Sequence, residues 1–218
     1  MASKHSTPLI LLTGFEPFEN DPINPAWEIA RALDGEVIAG ATVCGVELPC
    51  VFGDSIARLD EAIAQLRPVL IVSLGFAGNR NEITPERVAI NLDDARIPDN
   101  AGKQPIDSVV LEDGPPAYFS TLPIKAMRDA IVAAGVPGEI SQTAGTFVCN
   151  HVFYGLMHRL ATVPALKGAR GGFIHVPMLP EQGAPSLPLA DMVEGLRAGI
   201  RTALATTGDV RSGGGAIH

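Results

Sequence analysis

The sequence predicts an α/β fold, a three-layer α/β/α sandwich around a twisted, mostly parallel mixed sheet. Two continuous apolar runs, residues 8–13 and 69–74, each end at a glycine and are typical of strands buried on both faces. Between them, residues 54–66 carry apolar side chains at helical spacing. Strands that alternate with helices in this way form parallel sheets covered by helices on both faces.

The remaining elements follow from the same patterns. Asn24 and Pro25 begin a helix, because Pro is favoured in the first helical turn, and Gly35 ends it. The other predicted elements are strands at 41–48, 87–92 and 172–176 and helices at 124–134, 146–161 and 187–205. Residues 93–116 are rich in Asp, Pro and Gly and are predicted to form a long loop, which in a compact domain is usually functional. We expect a single domain over residues 1–218, with 1–7 and 209–218 frayed.

Two loops are candidates for a binding site. In sheets of this class, ligands bind beyond the carboxyl ends of the strands. Gly14 and Gly75 lie at two such ends. The sequence therefore predicts that residues 14–18 and 75–80 border a site.

The charge balance excludes several classes of partner. Lys and Arg total 16 and Asp and Glu total 24, which gives a formal net charge of −8. An acidic chain without a basic run is a poor candidate for binding nucleic acid or an anionic membrane. No apolar run approaches the roughly 20 residues that a membrane span needs. The apolar run near the first residue is too short for a signal peptide core.

The cysteine pattern points to a reducing compartment. The chain has three cysteines and no C-x-x-C pair, so neither a disulfide framework nor a zinc site is indicated. We expect a cytoplasmic protein in which a thiol is free to react.

One of the three cysteines is a candidate nucleophile. Cys44 lies within a strand pattern, and Cys50 lies near a strand-to-helix junction, so both are interpreted as core residues. Cys149 falls within the first turn or so of a predicted helix, where the helix dipole favours a thiolate and lowers its pKa. Cys149 also lies on the apolar face of that helix. Helix position alone therefore supports a nucleophile and a core cysteine about equally.

A cysteine nucleophile needs a base, and helical geometry narrows the choice. His151 is two residues beyond Cys149 and points roughly 200° away, at about 100° per residue. His158, nine residues beyond, also lies near the opposite face, and both are interpreted as exposed helix histidines. Two further histidines are in the predicted frayed termini. His175, at the end of a short apolar strand, remains as the candidate base.

The acid that would orient this base stays open at this point. Glu86, Asp93, Asp94 and Asp99 are all candidates, and sequence order does not choose among them. Arg96 lies among these acids and is a candidate ion-pair partner or anion stabiliser.

Three blocks of sequence resemble the pyroglutamyl peptidase type I family, a family of cysteine peptidases also called pyrrolidone-carboxylate peptidases. The similarity extends from residue 11 to about residue 191. The blocks are T-G-F-E-P-F at 13–18 with I-N-P at 23–25, residues 75–100, and T-A-G-T-F-V-C-N-H at 143–151 with 172–175 and 180–182. The second and third blocks are long and non-repetitive, which makes them far more specific than a short glycine motif.

The resemblance implies roles for individual residues. It places the nucleophile at Cys149, the base at His175, the acid at Glu86 and an oxyanion-stabilising arginine at Arg96. The residues that it implies for substrate binding are Phe15, Phe18, Asn24, Phe76, Phe147 and Val148. Phe76 stands where a Gln is common in the family, and Met178 replaces a more usual Tyr.

The activity implied by the resemblance is removal of an N-terminal pyroglutamyl residue from peptides through a thioester, by a single catalytic domain. No metal or organic cofactor is expected. The implied assembly is a homotetramer. Alternative hypotheses are a related cysteine amidase such as a glutaminase-like enzyme, a catalytically silent pyroglutamate-binding homologue and, at the level of fold, a nucleoside phosphorylase.

Overall fold

The computed structural model describes residues 7–19 and 21–217. Its main sheet has six strands in the order β2-β3-β1-β4-β8-β5. These strands are β1 (Leu9–Phe15), β2 (Val37–Ile38), β3 (Ala41–Leu48), β4 (Leu70–Phe76), β5 (Thr84–Pro85) and β8 (Arg170–Val176). The four central strands are parallel, and β2 and β5 pair antiparallel at the two edges. The predicted mixed, mostly parallel sheet is confirmed.

Helices cover both faces of this sheet. They are α1 (Pro25–Leu33), α2 (Asp54–Leu66), α3 (Ile124–Ala133), α4 (Val148–Thr162) and α5 (Leu189–Ala205). A 3₁₀ helix, Pro164–Leu166, follows α4. Buried residues of α1, α3 and α5 form one core and those of α2 and α4 form another. Within the described residues, no helix is both long and apolar enough to cross a bilayer.

Burial on both faces explains the continuous apolar strands. In β1, Ile10 and Leu12 belong to the core beneath α1, whereas Leu11 between them belongs to the core beneath α4. Each of these side chains is fully buried, and burial of one such side chain contributes about 1.5–3 kcal/mol. The strand therefore has no solvent-facing side and no polar alternation.

The middle of the chain differs from the prediction. The strand expected at 87–92 is shorter, β6 (Val88–Ile90), and pairs with β7 (Ala117–Phe119) in a separate two-stranded sheet. The sequence analysis also missed β2, β5 and β7. Strands of two or three residues are too short to show a periodic pattern, so their pairing depends on tertiary contacts.

The end of the chain is not the frayed segment predicted for 209–218. The Asp209 carboxylate accepts hydrogen bonds from the backbone N–H groups of Lys125 and Ala126. These groups belong to the first turn of α3, which has no side-chain cap at its own N-cap residue. The Gly214 carbonyl accepts a hydrogen bond from Arg87 at 2.7 Å. A cap from so distant a residue leaves no local sequence signal. Of the other positions predicted to be frayed, residue 7 is exposed and outside any helix or strand, and 1–6 and 218 lie outside the described residues.

Candidate active site

The start of α4 presents Cys149 and a set of free backbone donors. Cys149 is the second residue of the helix, and the N-cap residue Phe147 makes no side-chain hydrogen bond. The N–H groups of a first helical turn lack partners within the helix, and here no side chain caps them. The helix dipole adds positive potential at the same place. This end of α4 can therefore hold developing negative charge close to the sulfur.

The Cys149 sulfur rests on the sheet beside His175. Gly75 of β4 is the register partner of His175 in β8. A Cβ atom built on Gly75 would lie 2.8 Å from the Cys149 Sγ atom and 2.6 Å from the Phe173 ring. Paired residues of neighbouring strands present their side chains on the same face. The sulfur and the imidazole therefore lie on the same face of the sheet close to Gly75, where only glycine leaves room for the sulfur.

Glu86 binds the imidazole of His175. The His175 Nδ1 atom and the Glu86 Oε1 atom are 2.7 Å apart, and both side chains are buried. The Nε2 atom of His175 makes no hydrogen bond to any described residue. A neutral imidazole that donates from Nδ1 presents a free lone pair on Nε2. The pair therefore leaves one ring nitrogen available for proton transfer.

The other three acids left open by the sequence lie elsewhere. Asp93 contacts His151 at 2.7 Å, and Asp94 is exposed. Asp99 accepts hydrogen bonds from backbone N–H groups of its own loop and from Phe52 N–H. Of the four candidates, Glu86 is the one whose carboxylate contacts His175.

A cavity of about 230 Å³ adjoins the sulfur. Its lining residues are Phe15, Phe18, Glu19, Asn24, Cys50, Phe76, Phe147 and Cys149. The Phe18 and Phe147 rings contact each other with centroids 5.3 Å apart, and Phe52 meets Phe147 edge-on at the same distance. The cavity is thus mainly aromatic, with a few polar groups, as is usual for a site that takes a small neutral molecule.

The chain is similar to known peptidases in sequence and in fold. A family model described as pyroglutamyl peptidase matches residues 9–206. A pyrrolidone-carboxylate peptidase of Cupriavidus taiwanensis is 60% identical over 97% of this chain and 100% of the relative. The crystal structure of pyroglutamyl peptidase I from Bacillus amyloliquefaciens is 45% identical, with a TM-score of 0.91 over 95% of this chain and 100% of that one. Pyrrolidone carboxyl peptidase from Thermococcus litoralis is 36% identical, with a TM-score of 0.87 over 91% and 94% of the two chains.

The chain belongs to the pyroglutamyl peptidase family. The predicted family and enzyme class, a cysteine-type hydrolase, are confirmed.

Two of the residues that the resemblance implies for the site of this pyroglutamyl peptidase family member, Val148 and Arg96, do not line the cavity. Val148 is fully buried in the core beneath α4 and does not line the cavity, so its place among the substrate-binding residues stays a prediction. Arg96 is exposed, does not line the cavity and has no hydrogen bond or ion pair with a described residue.

The side-chain amide of Asn24 makes two hydrogen bonds within the chain. Its Oδ1 atom caps α1 by accepting from Ala26 N–H at 3.1 Å, and its Nδ2 atom donates to the Glu16 carbonyl at 3.0 Å. The amide nitrogen carries two hydrogens, and one is left for a ligand. Asn24 can therefore offer a single donor to the cavity.

The expected low pKa of Cys149 is wrong. Burial raises the pKa of the Cys149 thiol from 9.0 to about 12, and the nearby Glu86 carboxylate acts in the same direction. The Arg80 guanidinium opposes both effects. Desolvation of the sulfur is the largest of these effects, so the resting thiol is neutral near pH 7.

The sequence gives no sign of a role for Arg80, and His151, which was expected on an exposed helix face, is buried. Arg80 forms an ion pair with Glu86 at 2.8 Å. The buried His151 ring is hydrogen-bonded on both sides. Its Nε2 atom accepts a hydrogen bond from Gly53 N–H at 2.9 Å, and its Nδ1 atom contacts Asp93. His158 is half-buried against the Tyr118 hydroxyl. The contacts of His151 and His158 join residues at least 40 positions apart, which leaves no local pattern. Arg80 is six residues from Glu86, but it lies in an irregular loop that has no periodic pattern.

A larger cavity, about 380 Å³, lies between α2 and the end of α4. Its walls are mostly apolar, and its polar residues include Asp60 and Arg159, which bind each other. It contains neither a cysteine nor a histidine. Chemistry, not size, therefore selects the smaller cavity at Cys149 as the candidate active site.

Proposed function

We propose that this chain hydrolyses the amide bond that follows an N-terminal pyroglutamyl residue of peptides, with Cys149 as nucleophile, His175 as base and Glu86 as the acid that orients the base. One observation carries the assignment of residues. The Cys149 sulfur packs on Gly75, whose partner across the sheet is the Glu86-bound His175. Cys149 lines the aromatic cavity, and the Glu86-bound His175 lies on the strand next to the Gly75 that supports the sulfur.

The raised thiol pKa indicates how the first step proceeds. Because the resting thiol is protonated, the Nε2 atom of His175 takes its proton as the sulfur attacks the substrate carbonyl. The Glu86 carboxylate stabilises the imidazolium that forms. This order of events needs no preformed thiolate.

Backbone donors at the start of α4 would stabilise the oxyanion. The uncapped N–H groups of the first turn lie beside the sulfur, where negative charge develops on the attacked carbonyl oxygen. Arg96 stays a proposed contributor by resemblance, and its exposed guanidinium has no ion pair with a described residue. His175 then protonates the leaving amine, which generates a thioester, and activates the water that hydrolyses it.

The cavity suits a flat, neutral lactam. Phe15, Phe18, Phe76 and Phe147 supply apolar walls, and Asn24 supplies a donor for the lactam carbonyl. The Phe76 ring and the Met178 side chain both flank Gly78, so the two departures from the family pattern lie side by side. We infer that they make this wall more apolar than a Gln and a Tyr would.

The proposal includes the assembly and the compartment. A homotetramer is proposed by resemblance to bacterial relatives, and light scattering should then give four times the 22.8 kDa of one chain. A cytoplasmic setting is proposed because all three cysteines are free thiols, which a reducing compartment preserves.

The decisive experiment compares wild type and Cys149→Ser on a pyroglutamyl-coumarin amide. We expect turnover by wild type and loss of at least about 10³-fold in Cys149→Ser, because a hydroxyl is a much weaker nucleophile at this site. Cys44→Ser is the matched control, since Cys44 lies on β3 outside the cavity. Cys50→Ser is a poorer control because Cys50 lines the cavity.

Three results would contradict the proposal. Full activity of Cys149→Ser would remove the nucleophile assignment. Release of ammonia from free glutamine without cleavage of the pyroglutamyl substrate would favour the amidase alternative, and saturable binding without turnover would favour a silent homologue.

A further inference from the structure

Arg80 contacts both halves of the candidate active site. It lies in the loop between β4 and β5, and its side chain is 21% exposed. One guanidinium nitrogen, Nη1, donates to the Glu86 carboxylate at 2.8 Å and also bonds the Thr84 hydroxyl. The other, Nη2, donates to the Thr143 carbonyl at 3.1 Å. Thr143 begins the segment that leads into α4 and Cys149.

Glu86 needs a compensating charge because it is shut off from water. Its side chain is fully buried, and its Oε1 atom accepts from both His175 and Arg80. Its Oε2 atom has no partner among the described residues. A buried carboxylate is stable as an anion only when it is paired and hydrogen-bonded. Within the described parts of the chain, Arg80 is the one Lys or Arg at ion-pair distance from Glu86.

The guanidinium geometry suits this double contact. Arginine presents a planar, rigid fork of donors and stays charged at every working pH, whereas lysine offers a single ammonium on a flexible stem. One rigid group can therefore set the distance between Glu86, which orients the base, and the loop that enters the nucleophile helix. The titratable groups that face this ion pair are His175 and Cys149.

We propose that Arg80 is a positioning residue for the reaction: it holds the Glu86 carboxylate in place against His175 and fixes the 143–147 segment that sets the start of α4. This inference rests on the proposed function. When His175 takes the thiol proton, the imidazolium needs an ionised carboxylate at Nδ1. Without Arg80, a rotated Glu86 no longer places that charge at Nδ1.

The test compares Arg80→Met, which removes the charge and keeps much of the stem, with Arg80→Lys. For Arg80→Met we expect kcat on the pyroglutamyl-coumarin amide to fall about 10–100-fold, the effect of a modest misplacement of catalytic groups, with KM changed less than about threefold. Arg80→Lys should recover part of kcat, because it restores a cation but not both contacts. In a Glu86→Gln background, Arg80→Met should lower kcat much less, since the two residues act as one unit.

A second readout does not depend on substrate. Iodoacetamide labelling of Cys149, followed by mass spectrometry of the peptide that carries it, should slow in Arg80→Met at a fixed pH, because a cation that favours the thiolate is gone. If wild type shows no turnover, the proposed function fails, and the labelling comparison still decides the role of Arg80.

Arg197→Met is the matched control. Arg197 also bonds a glutamate, Glu36, at 2.7 Å and has a similarly buried side chain, but it lies on α5 away from the cavity. We expect it to change thermal stability without changing kcat or Cys149 labelling. A loss of stability in Arg80→Met like that of Arg197→Met, with kcat and labelling unchanged, would overturn the positioning role. If Arg80→Met does not fold, Arg80→Lys decides, and wild-type kcat and labelling in that variant would overturn it.

Discussion

Two histidine–carboxylate pairs flank the start of α4, and they differ in what the second ring nitrogen does. His175 contacts Glu86 and His151 contacts Asp93, both at 2.7 Å through Nδ1. In each carboxylate one oxygen is buried without a partner among the described residues. The Nε2 atom of His151 accepts from Gly53 N–H, whereas that of His175 is unpaired within the described chain. Of these two histidines, only His175 has a ring nitrogen whose lone pair is free to accept a proton.

The two pairs also differ in the charges around them. Glu86 has an arginine partner, Arg80, whereas Asp93 has no Lys or Arg at ion-pair distance in the part of the chain that the structure describes. His151 packs edge-on against Phe52, which in turn supports Phe147 of the cavity wall. A histidine–carboxylate contact is therefore no sign of catalysis by itself. A free nitrogen beside a nucleophile is the feature that distinguishes the candidate catalytic pair.

The largest expected effect comes from the matched replacements His175→Gln and His151→Gln. His175→Gln should lower kcat by about 10²–10⁴-fold, the usual contribution of a general acid–base residue. His151→Gln should keep kcat within a few fold and cost about 1–3 kcal/mol of unfolding free energy, because it disturbs a buried hydrogen-bonded pair. Steady-state kinetics and urea unfolding of both variants would measure this contrast.

The opposite pattern of kcat and stability in the two variants would contradict the assignment of His175 as the base. A stable His151→Gln protein with severely reduced kcat, beside a His175→Gln protein with near-normal kcat, would assign the base to His151.

A smaller effect is expected from Gly75→Ala, which probes the contact between the sulfur and the free histidine. The added methyl group would lie 2.8 Å from the Cys149 Sγ atom, so the sulfur must move from its position above Gly75. A displacement of about 1 Å can cost 10²-fold in rate, and we expect a kcat loss of that order. The control is Gly45→Ala on β3, where a Cβ atom would lie 2.9 Å from the Ala30 carbonyl oxygen, far from the cavity. Equal kcat losses in the two variants would show that the effect is general overpacking.

The smallest effect concerns alkaline pH. The folded state keeps the Cys149 proton up to a pKa of about 12, whereas the unfolded chain releases it near 9.0. Above pH 9 the unfolded state binds fewer protons, so stability should fall as pH rises from about 9 toward 12. Urea unfolding at pH 8, 9 and 10.5 should show a shallower fall for Cys149→Ser than for wild type. Parallel pH profiles would contradict a buried, neutral thiol.

The sequence predicted the buried central strands better than the short strands and the contacts of the C-terminal tail. The runs at 8–13 and 69–74 became β1 and β4 because burial on both faces requires unbroken apolar sequence. The short strands β2, β5 and β7 left no such trace. The sequence does not indicate how the tail is held, because Asp209, which caps α3, accepts a hydrogen bond from Ala126 N–H, 83 residues away in the chain.

For the site, the sequence placed a cysteine at a helix start and a histidine at a strand end. Spacing left Glu86 and Asp93 equivalent, and the resemblance favoured Glu86 before any contact was known. The roles of these residues in turnover stay predictions until the variants are measured.

Local periodicity determined the helices, the buried strands and the position of Cys149 in the first turn of α4, because those features depend on residues close together in the chain. Only the tertiary structure decided which carboxylate meets which histidine, across 89 residues for His175 and Glu86 and 58 for His151 and Asp93. It also brought Arg80 to Glu86 and buried the sulfur deeply enough to raise the thiol pKa. Pairing and desolvation depend on which surfaces pack together, and that information is distributed over the whole chain.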